Sequence, residues 1–290
     1  FKQCANTPEE VYQLLEQYDI PNSVQNILAM ETMMSDRNQV FKKLFAQREQ
    51  TALDGTIQNS DEASMLEEIT AIKQQLLEDF GNAVSEPKEM AEAQEALGKL
   101  AENVMKTMIE SDEVTSIDIK EAKLLRAQIS IQKQMAKKET YSVPVLVGDE
   151  VTNVTLKIVR GVEKRGIVDV MLETQLAGKI AATFQAKENG ISGVIATDRA
   201  DAKEDMEKQL GEFVAALQVE EGQTNIHVAH IPNLDLNHFS NSAVSRDMAD
   251  VKTIAEKEEA PEDTDAYQVQ TTRLYRLAET FIRVVKEAYK

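Results

Sequence analysis

The side chains that could carry out chemistry are few and widely separated. The chain has three histidines, His227, His230 and His238, and one cysteine, Cys4. His227 and His230 lie in the alternating stretch NIHVAHI, where a spacing of three places two side chains on opposite faces of a strand. That geometry does not suit one shared metal ion, so we interpret both as surface or edge-strand histidines. Cys4 has no second cysteine for a disulfide or a zinc site, and we interpret it as incidental.

Sequence patterns of known catalytic sites are also missing. The chain has no G-x-S-x-G elbow, no phosphate-binding Walker loop, no G-x-G-x-x-G loop and no H-E-x-x-H pair. Asp235 precedes His238 by three residues, and one carboxylate near one histidine is too common a pairing to define a site. We therefore expect a protein without enzymatic activity, with no catalytic, metal-binding or cofactor-binding residues.

The composition bounds the class of protein. A chain of 290 residues with 42% apolar residues is long enough for about two domains, each with its own core. Its formal net charge of -18 repels phosphate backbones, so we expect no nucleic-acid partner. No apolar run is long enough to cross a bilayer, and no charged-then-apolar leader precedes the first helix. We therefore expect no membrane insertion and no secretory signal peptide.

The beginning of the chain is typical of helices. Residues 1–45 predict a small helical unit, whose first helix starts with a capping box formed by Thr7 and Glu10. The second helix is predicted to start at a cap supplied by Asn22 or Ser23. A third, short helix completes this unit.

A second helical region follows a loop. Residues 46–60 are polar and aperiodic, which predicts a loop, and residues 61–139 predict a helical bundle. The apolar residues of this bundle recur at helical spacing, and they include Met65, Leu66, Ile69, Ile72, Leu76, Phe80, Leu97, Leu100, Val104, Met105, Met108, Ile117, Leu124, Ile131 and Met135. Pro87 precedes the second helix of this set.

A change of period marks the next domain. At Tyr141 the apolar residues begin to alternate, and residues 140–235 predict a small mixed sheet with one helix. The predicted strands are YSVPVLV, VTNVTLKIV, GIVDVMLE, KIAATFQA, ISGVIAT and TNIHVAHI. Asn189 and Gly190 form a hairpin-turn signal between the fourth and fifth strands, because both residue types tolerate positive φ.

Two helices complete the predicted α+β fold. Asp198 is predicted to cap an amphipathic helix, whose apolar stripe from Met206 to Leu217 covers one face of the sheet. Residues 236–263 are mostly polar and predict a linker. Residues 264–290 predict a C-terminal amphipathic helix, which we expect to dock on the preceding body because an isolated helix of this length is only marginally stable in water.

The order of these elements carries a resemblance to a known family. The segments LAGKIAATF, ENG, ISGVIAT, MEKQLGEFVAALQ and TNIHVAHI give a strand, a turn, a strand, a helix and a last strand. Residues 141–231 thereby resemble the C-terminal domain of flagellar hook-length control proteins, in which a Leu-Gly precedes the first of these strands. The stretches YSVPVLVGDEVTNVTLKIVRG and TRLYRLAETFIRVVK are similar to a clostridial branch of that family. Here the Leu-Gly reads Leu176-Ala177-Gly178, so either one residue is inserted or Ala177 replaces the leucine.

This resemblance implies a function in export rather than catalysis. It implies binding to the cytoplasmic domain of a flagellar export-gate protein, with hook or hook-cap proteins as further partners. The protein would switch the secretion system from hook to filament subunits. It would be cytoplasmic before export and then secreted or flagellum-associated. The competing hypotheses are a cytoplasmic helical interaction scaffold with no flagellar role and an enzyme with an unrecognised site.

Overall fold

The computed structural model describes most of the chain. The described residues are 7–46, 75, 77, 84, 86–110, 116–160, 166–187, 190–217, 224–237, 239 and 264–290. They fall into a helical unit, Phe1–Phe80 with Ala91–Lys138, and a sheet unit, Gly81–Met90 with Glu139–Lys290. The loop predicted after Ala46 lies outside the described residues, as do the helix predicted from Met65 to Phe80, apart from Gln75 and Leu77, and the turn residue Asn189.

Helices form the first unit, as the sequence predicts. They are α1 Glu9–Gln17, α2 Val24–Ser35, α3 Gln39–Ala46, α4 Pro87–Glu110 and α5 Ser116–Ala136. The first residues of α4, up to Met90, are assigned to the sheet unit. One apolar core joins α1, α2 and α5, and it contains Leu15, Met30 and Ile131. The sequence analysis placed residues 1–45 and α5 in two different helical regions. In the structure they share one core.

The two predicted helix caps have different outcomes. Ser23 caps α2, because its hydroxyl accepts a hydrogen bond from the Asn26 amide at 3.2 Å. The capping box of Thr7 and Glu10 is wrong. Pro8, with ψ of 144°, is itself the residue before the helix, and no side chain caps α1. Thr7 therefore lies one residue too far upstream to reach the free amides of the first turn.

The sheet unit is built on six strands in sequence order. They are β1 Thr140–Val147, β2 Glu150–Arg160, β3 Gly166–Thr174, β4 Gly178–Lys187, β5 Gly190–Thr197 and β6 Thr224–His230. The first five strands pair antiparallel, whereas β5 and β6 pair parallel. The sheet is therefore mixed, and the fold is α+β as predicted. Pro144 lies in the edge strand β1, where its missing N–H is tolerated.

Two helices pack on one face of this sheet: the amphipathic helix predicted to cover it and the C-terminal helix. They are α6 Ala200–Ala216 and α7 Thr264–Ala288. Phe184 of β4, Phe213 of α6 and Phe281 of α7 are fully buried, and their ring centroids lie 5.1 to 5.7 Å apart. These tilted and edge-to-face contacts are the favourable geometry for aromatic rings. The C-terminal helix is thus docked on the sheet, and the α6 stripe supplies core residues.

The opposite face of the sheet is covered in part by the segment after β6. Leu234, Leu236 and Phe239 pack against Met171, Ala181 and Ala196 of the central strands. The linker predicted over residues 236–263 is therefore wrong at its beginning, because Leu236 is buried. Two leucines at alternate positions in a polar stretch form too short a pattern to predict this packing from the sequence.

Candidate protein-binding surface

The two described histidines, His227 and His230, do not form a shared site. In the parallel pairing of β5 with β6, His227 lies opposite Val194 and His230 lies opposite Thr197, so the two imidazoles lie on opposite faces. His230 Nε2 is 3.2 Å from the Asp198 carbonyl oxygen. No group of three histidine, cysteine or acidic side chains could hold a metal ion within the part of the chain that the structure describes. Cys4 and His238 lie outside that part.

Asp198 does not cap α6, contrary to the sequence prediction. The helix starts at Ala200, so Arg199 takes the capping position, and its side chain makes no capping hydrogen bond. Asp198 lies one residue too early and joins two strands instead. Its Oδ1 accepts a hydrogen bond from the Lys179 amide at 2.8 Å, and its own amide donates to the Lys179 carbonyl at 3.1 Å. The end of β5 is thereby fixed to the start of β4.

The turn between β3 and β4 is held from within. The Thr174 hydroxyl accepts a hydrogen bond from the Ala177 amide at 2.8 Å. Gly178 has a φ of +70°, a conformation that favours glycine. A Cβ atom at Gly178 would overlap Asp198 Oδ1 and lie 2.7 Å from Arg199 Cδ. The close approach of Asp198 to this turn therefore requires glycine at position 178.

Arg199 holds the same turn from outside. Its Nη1 donates to the Leu176 carbonyl at 3.0 Å, and its Nε donates to Asp201 Oδ1 at 3.0 Å. The hydrogen bond from Arg199 lowers the pKa of Asp201 and keeps this carboxylate charged. Arg199 thus bridges the start of α6 and the turn between β3 and β4.

This fixed turn exposes one leucine and buries one alanine. Leu176 is 52% exposed, whereas Ala177 is fully buried. The buried position before Gly178 is therefore occupied by Ala177, and the leucine of the family-like Leu-Gly lies on the surface. The sequence indicated the departure at Ala177 but not which of the two side chains would be exposed.

Exposed apolar residues gather at this end of the sheet. Strands β1, β3, β5 and β6 all end here, and Leu146 and Ile231 are 43% and 39% exposed. We name Leu146, Leu176 and Ile231 the apolar rim. At about 4.8 Å per strand, the rim spans roughly 24 Å. Isolated exposed leucines are ordinary in proteins, so what sets the rim apart is its location at one end and the fixed turn beneath Leu176.

A buried polar cluster lies at the opposite end of the sheet. The hydroxyls of Tyr141 and Tyr275 are 2.8 Å apart, Tyr275 donates to Glu139 Oε1 at 3.1 Å, and Arg160 pairs with Glu139. Burial raises the pKa of both tyrosines. The tyrosines therefore stay protonated and join α7 to β1. Sequence reasoning missed this cluster because its members are far apart in the chain, although Tyr275 does lie on the apolar stripe of its helix.

In comparisons with known proteins, no family model, no curated protein and no solved structure matched the chain.

Proposed function

We propose that this chain is a non-enzymatic, hook-length control-like protein whose sheet unit binds the cytoplasmic domain of a flagellar export-gate protein. Binding switches the export substrate from hook to filament subunits. The observation that carries the proposal is the order of elements from Gly178 to His230. An antiparallel strand pair, a helix and a last strand follow one another in the order on which the family resemblance rests.

The apolar rim is the surface we assign to this contact. Its central residue, Leu176, projects from a turn that Thr174, Asp198 and Arg199 hold in one conformation. A residue that is already fixed loses little conformational entropy on binding, so more of its contact energy appears as affinity. Residues near the centre of an interface, where water is excluded, carry most of the binding energy, and Leu176 lies at the centre of the rim.

The binding test uses the full chain and the purified cytoplasmic domain of the export-gate protein. We expect Leu176→Asp to weaken binding at least tenfold, because an unpaired carboxylate would be buried in the contact. Val24→Asp is the matched control, since Val24 is 45% exposed on α2 in the helical unit. Calorimetric titration measures both affinities. Absence of binding by the unmodified chain, or equal loss in both variants, would refute the proposal.

A test in the cell follows from the switching function. Deletion of residues 141–235 is expected to give overlong hooks and to block filament assembly, because the secretion system would stay in its hook-export state. Leu176→Asp should give the same defect with the protein still present at normal level. Hooks of normal length in the deletion strain would contradict the assigned function.

A further inference from the structure

A groove runs between two helices of the helical unit. It has a volume of about 570 Å³ and is lined by α4 and α5. Its apolar lining includes Met105 of α4 with Ala122 and Ile129 of α5, and Ile119 at its edge is 42% exposed. This volume falls within the roughly 300–1,000 Å³ of sites that bind ligands.

The groove follows one face of α5. Its lining residues on that helix extend from Ile119 to Lys133 and recur every three or four positions. At about 1.5 Å per residue, this face is roughly 21 Å long. The groove therefore has the length of about four helical turns, which is long for a small metabolite and suitable for a peptide helix.

The charge along the groove is opposite to that of the chain. Four basic residues line it: Lys106, Lys123, Arg126 and Lys133. Within the described residues, Lys123, Arg126 and Lys133 form no ion pair with an acidic side chain. Glu102 is the acidic residue among the lining side chains. The chain as a whole has 50 acidic and 32 basic residues, so this concentration of positive charge is local and favours an anionic ligand.

One glycine shapes the wall of the groove. A Cβ atom at Gly98 would lie 2.7 Å from both Cε and Nζ of Lys133. The Lys133 side chain therefore crosses directly over the α4 backbone at this position. Glycine inside a helix destabilises it relative to alanine, and here its missing side chain gives the ammonium group its place in the groove.

We propose that this groove binds an acidic amphipathic helix of a partner protein. The apolar face of that helix contacts Met105, Ala122 and Ile129, and its carboxylates pair with Lys123, Arg126 and Lys133. An amphipathic helix in an apolar groove is a common mode of peptide recognition. The three cations select an acidic helix over a basic one, because like charges at the rim oppose binding. This site lies in the helical unit and is independent of the function proposed for the sheet unit.

The test measures fluorescence anisotropy of a labelled 16-residue designed peptide with leucines on one helical face and glutamates beside them. A second peptide carries lysine in place of every glutamate. We expect the full chain to bind the acidic peptide about tenfold or more tightly than the basic one, and the difference to shrink as salt is raised.

Two variants and one control locate the binding. The double variant Lys123→Gln with Arg126→Gln is expected to weaken binding of the acidic peptide about tenfold. The control double variant, Lys99→Gln with Lys137→Gln, removes the same charge from positions outside the groove and should leave binding unchanged. Gly98→Ala displaces Lys133 without changing the charge or weakening α4, and it should also reduce binding.

Several results would overturn the proposal. Equal binding of the two peptides, or equal losses in the groove and control variants, would show that the charges do not select the ligand. Tighter binding of a peptide with residues 253–263 of this chain would identify an internal occupant. Self-association that the groove variant abolishes would identify a second copy. Flotation with phosphatidylglycerol vesicles, without peptide binding, would assign the groove to a membrane surface.

Discussion

Two glycine-to-alanine changes in the sheet unit should have opposite effects on stability. Gly178 has a φ of +70°, and a left-handed conformation costs alanine about 1–2 kcal/mol. The added Cβ would also overlap Asp198 Oδ1. Displacing that carboxylate breaks its hydrogen bond with the Lys179 amide, a loss of about 1–3 kcal/mol for a part-buried group. Gly178→Ala should therefore lower the free energy of unfolding by about 2–5 kcal/mol.

Gly211 is the matched position where the same change should stabilise the protein. It is exposed within α6, and no atom lies within 4 Å of the place where a Cβ would stand. Alanine is favoured over glycine inside a helix by about 1 kcal/mol. Gly211→Ala should thus raise the free energy of unfolding by about that amount, so the two variants differ by roughly 3–6 kcal/mol.

Urea unfolding followed by far-ultraviolet circular dichroism measures this difference. An unchanged m value would show that stability, rather than the unfolded state, has changed. Hydrogen exchange in peptides from β3 and β4 assigns the transition to the sheet unit. If the free energy of unfolding of Gly178→Ala lies within about 0.5 kcal/mol of that of the unmodified chain, the summed costs of the backbone conformation and the lost hydrogen bond are refuted. If the proposed function holds, Gly178→Ala should also weaken binding of the export-gate domain, whereas Gly211→Ala should not.

Three further predictions concern the aromatic side chains. Phe281→Ala should lower the free energy of unfolding by about 3–5 kcal/mol in urea titrations, because it removes the α7 ring from the contact with Phe184 and Phe213. Tyr275→Phe should cost about 1–3 kcal/mol, since it leaves the buried Tyr141 hydroxyl and Glu139 without this partner, and a cost near zero would contradict the role of the cluster. Burial raises the pKa of Tyr275, and burial together with Asp205 raises the pKa of Tyr289 to about 12. Stability should fall above about pH 10, because tyrosines of the unfolded chain lose their protons there while these two folded tyrosines keep theirs. Urea titrations from pH 9 to 12 measure this fall, and Tyr289→Phe should make it shallower.

Patterns that depend on neighbouring residues could be predicted from the sequence. Alternating apolar residues predicted the six strands, because one face of the sheet packs against α6 and α7. Of the predicted α6 stripe, Met206 and Phe213 are buried as expected, whereas Leu210, Val214 and Leu217 are half-buried. The helix starts were predicted less well. Pro8 and Arg199 take the capping positions at α1 and α6, so Asp198 was free to bind a strand instead.

Features that depend on distant residues could not be predicted. The hydrogen bond between Tyr141 and Tyr275 joins positions 134 residues apart, and no local period records it. The apolar rim has the same origin, because Leu146, Leu176 and Ile231 reach the same end of the sheet only when the strands are ordered side by side. In the groove, helical spacing places Lys123 and Arg126 on one face of α5. It does not predict that Gly98 of α4 lies across the groove from α5.

The contact of Phe281 with the sheet also delays completion of the sheet unit's core during synthesis of the chain. Phe281 is made about 50 residues after His230, the last residue of the sheet. At about 5–20 residues per second, roughly 3–10 s pass between them. Throughout that interval the rings of Phe184 and Phe213 have no third partner, and the apolar face beneath α7 is open to solvent. Apolar surface that is exposed in this way is prone to aggregation during folding, and docking of α7 is the step that covers it.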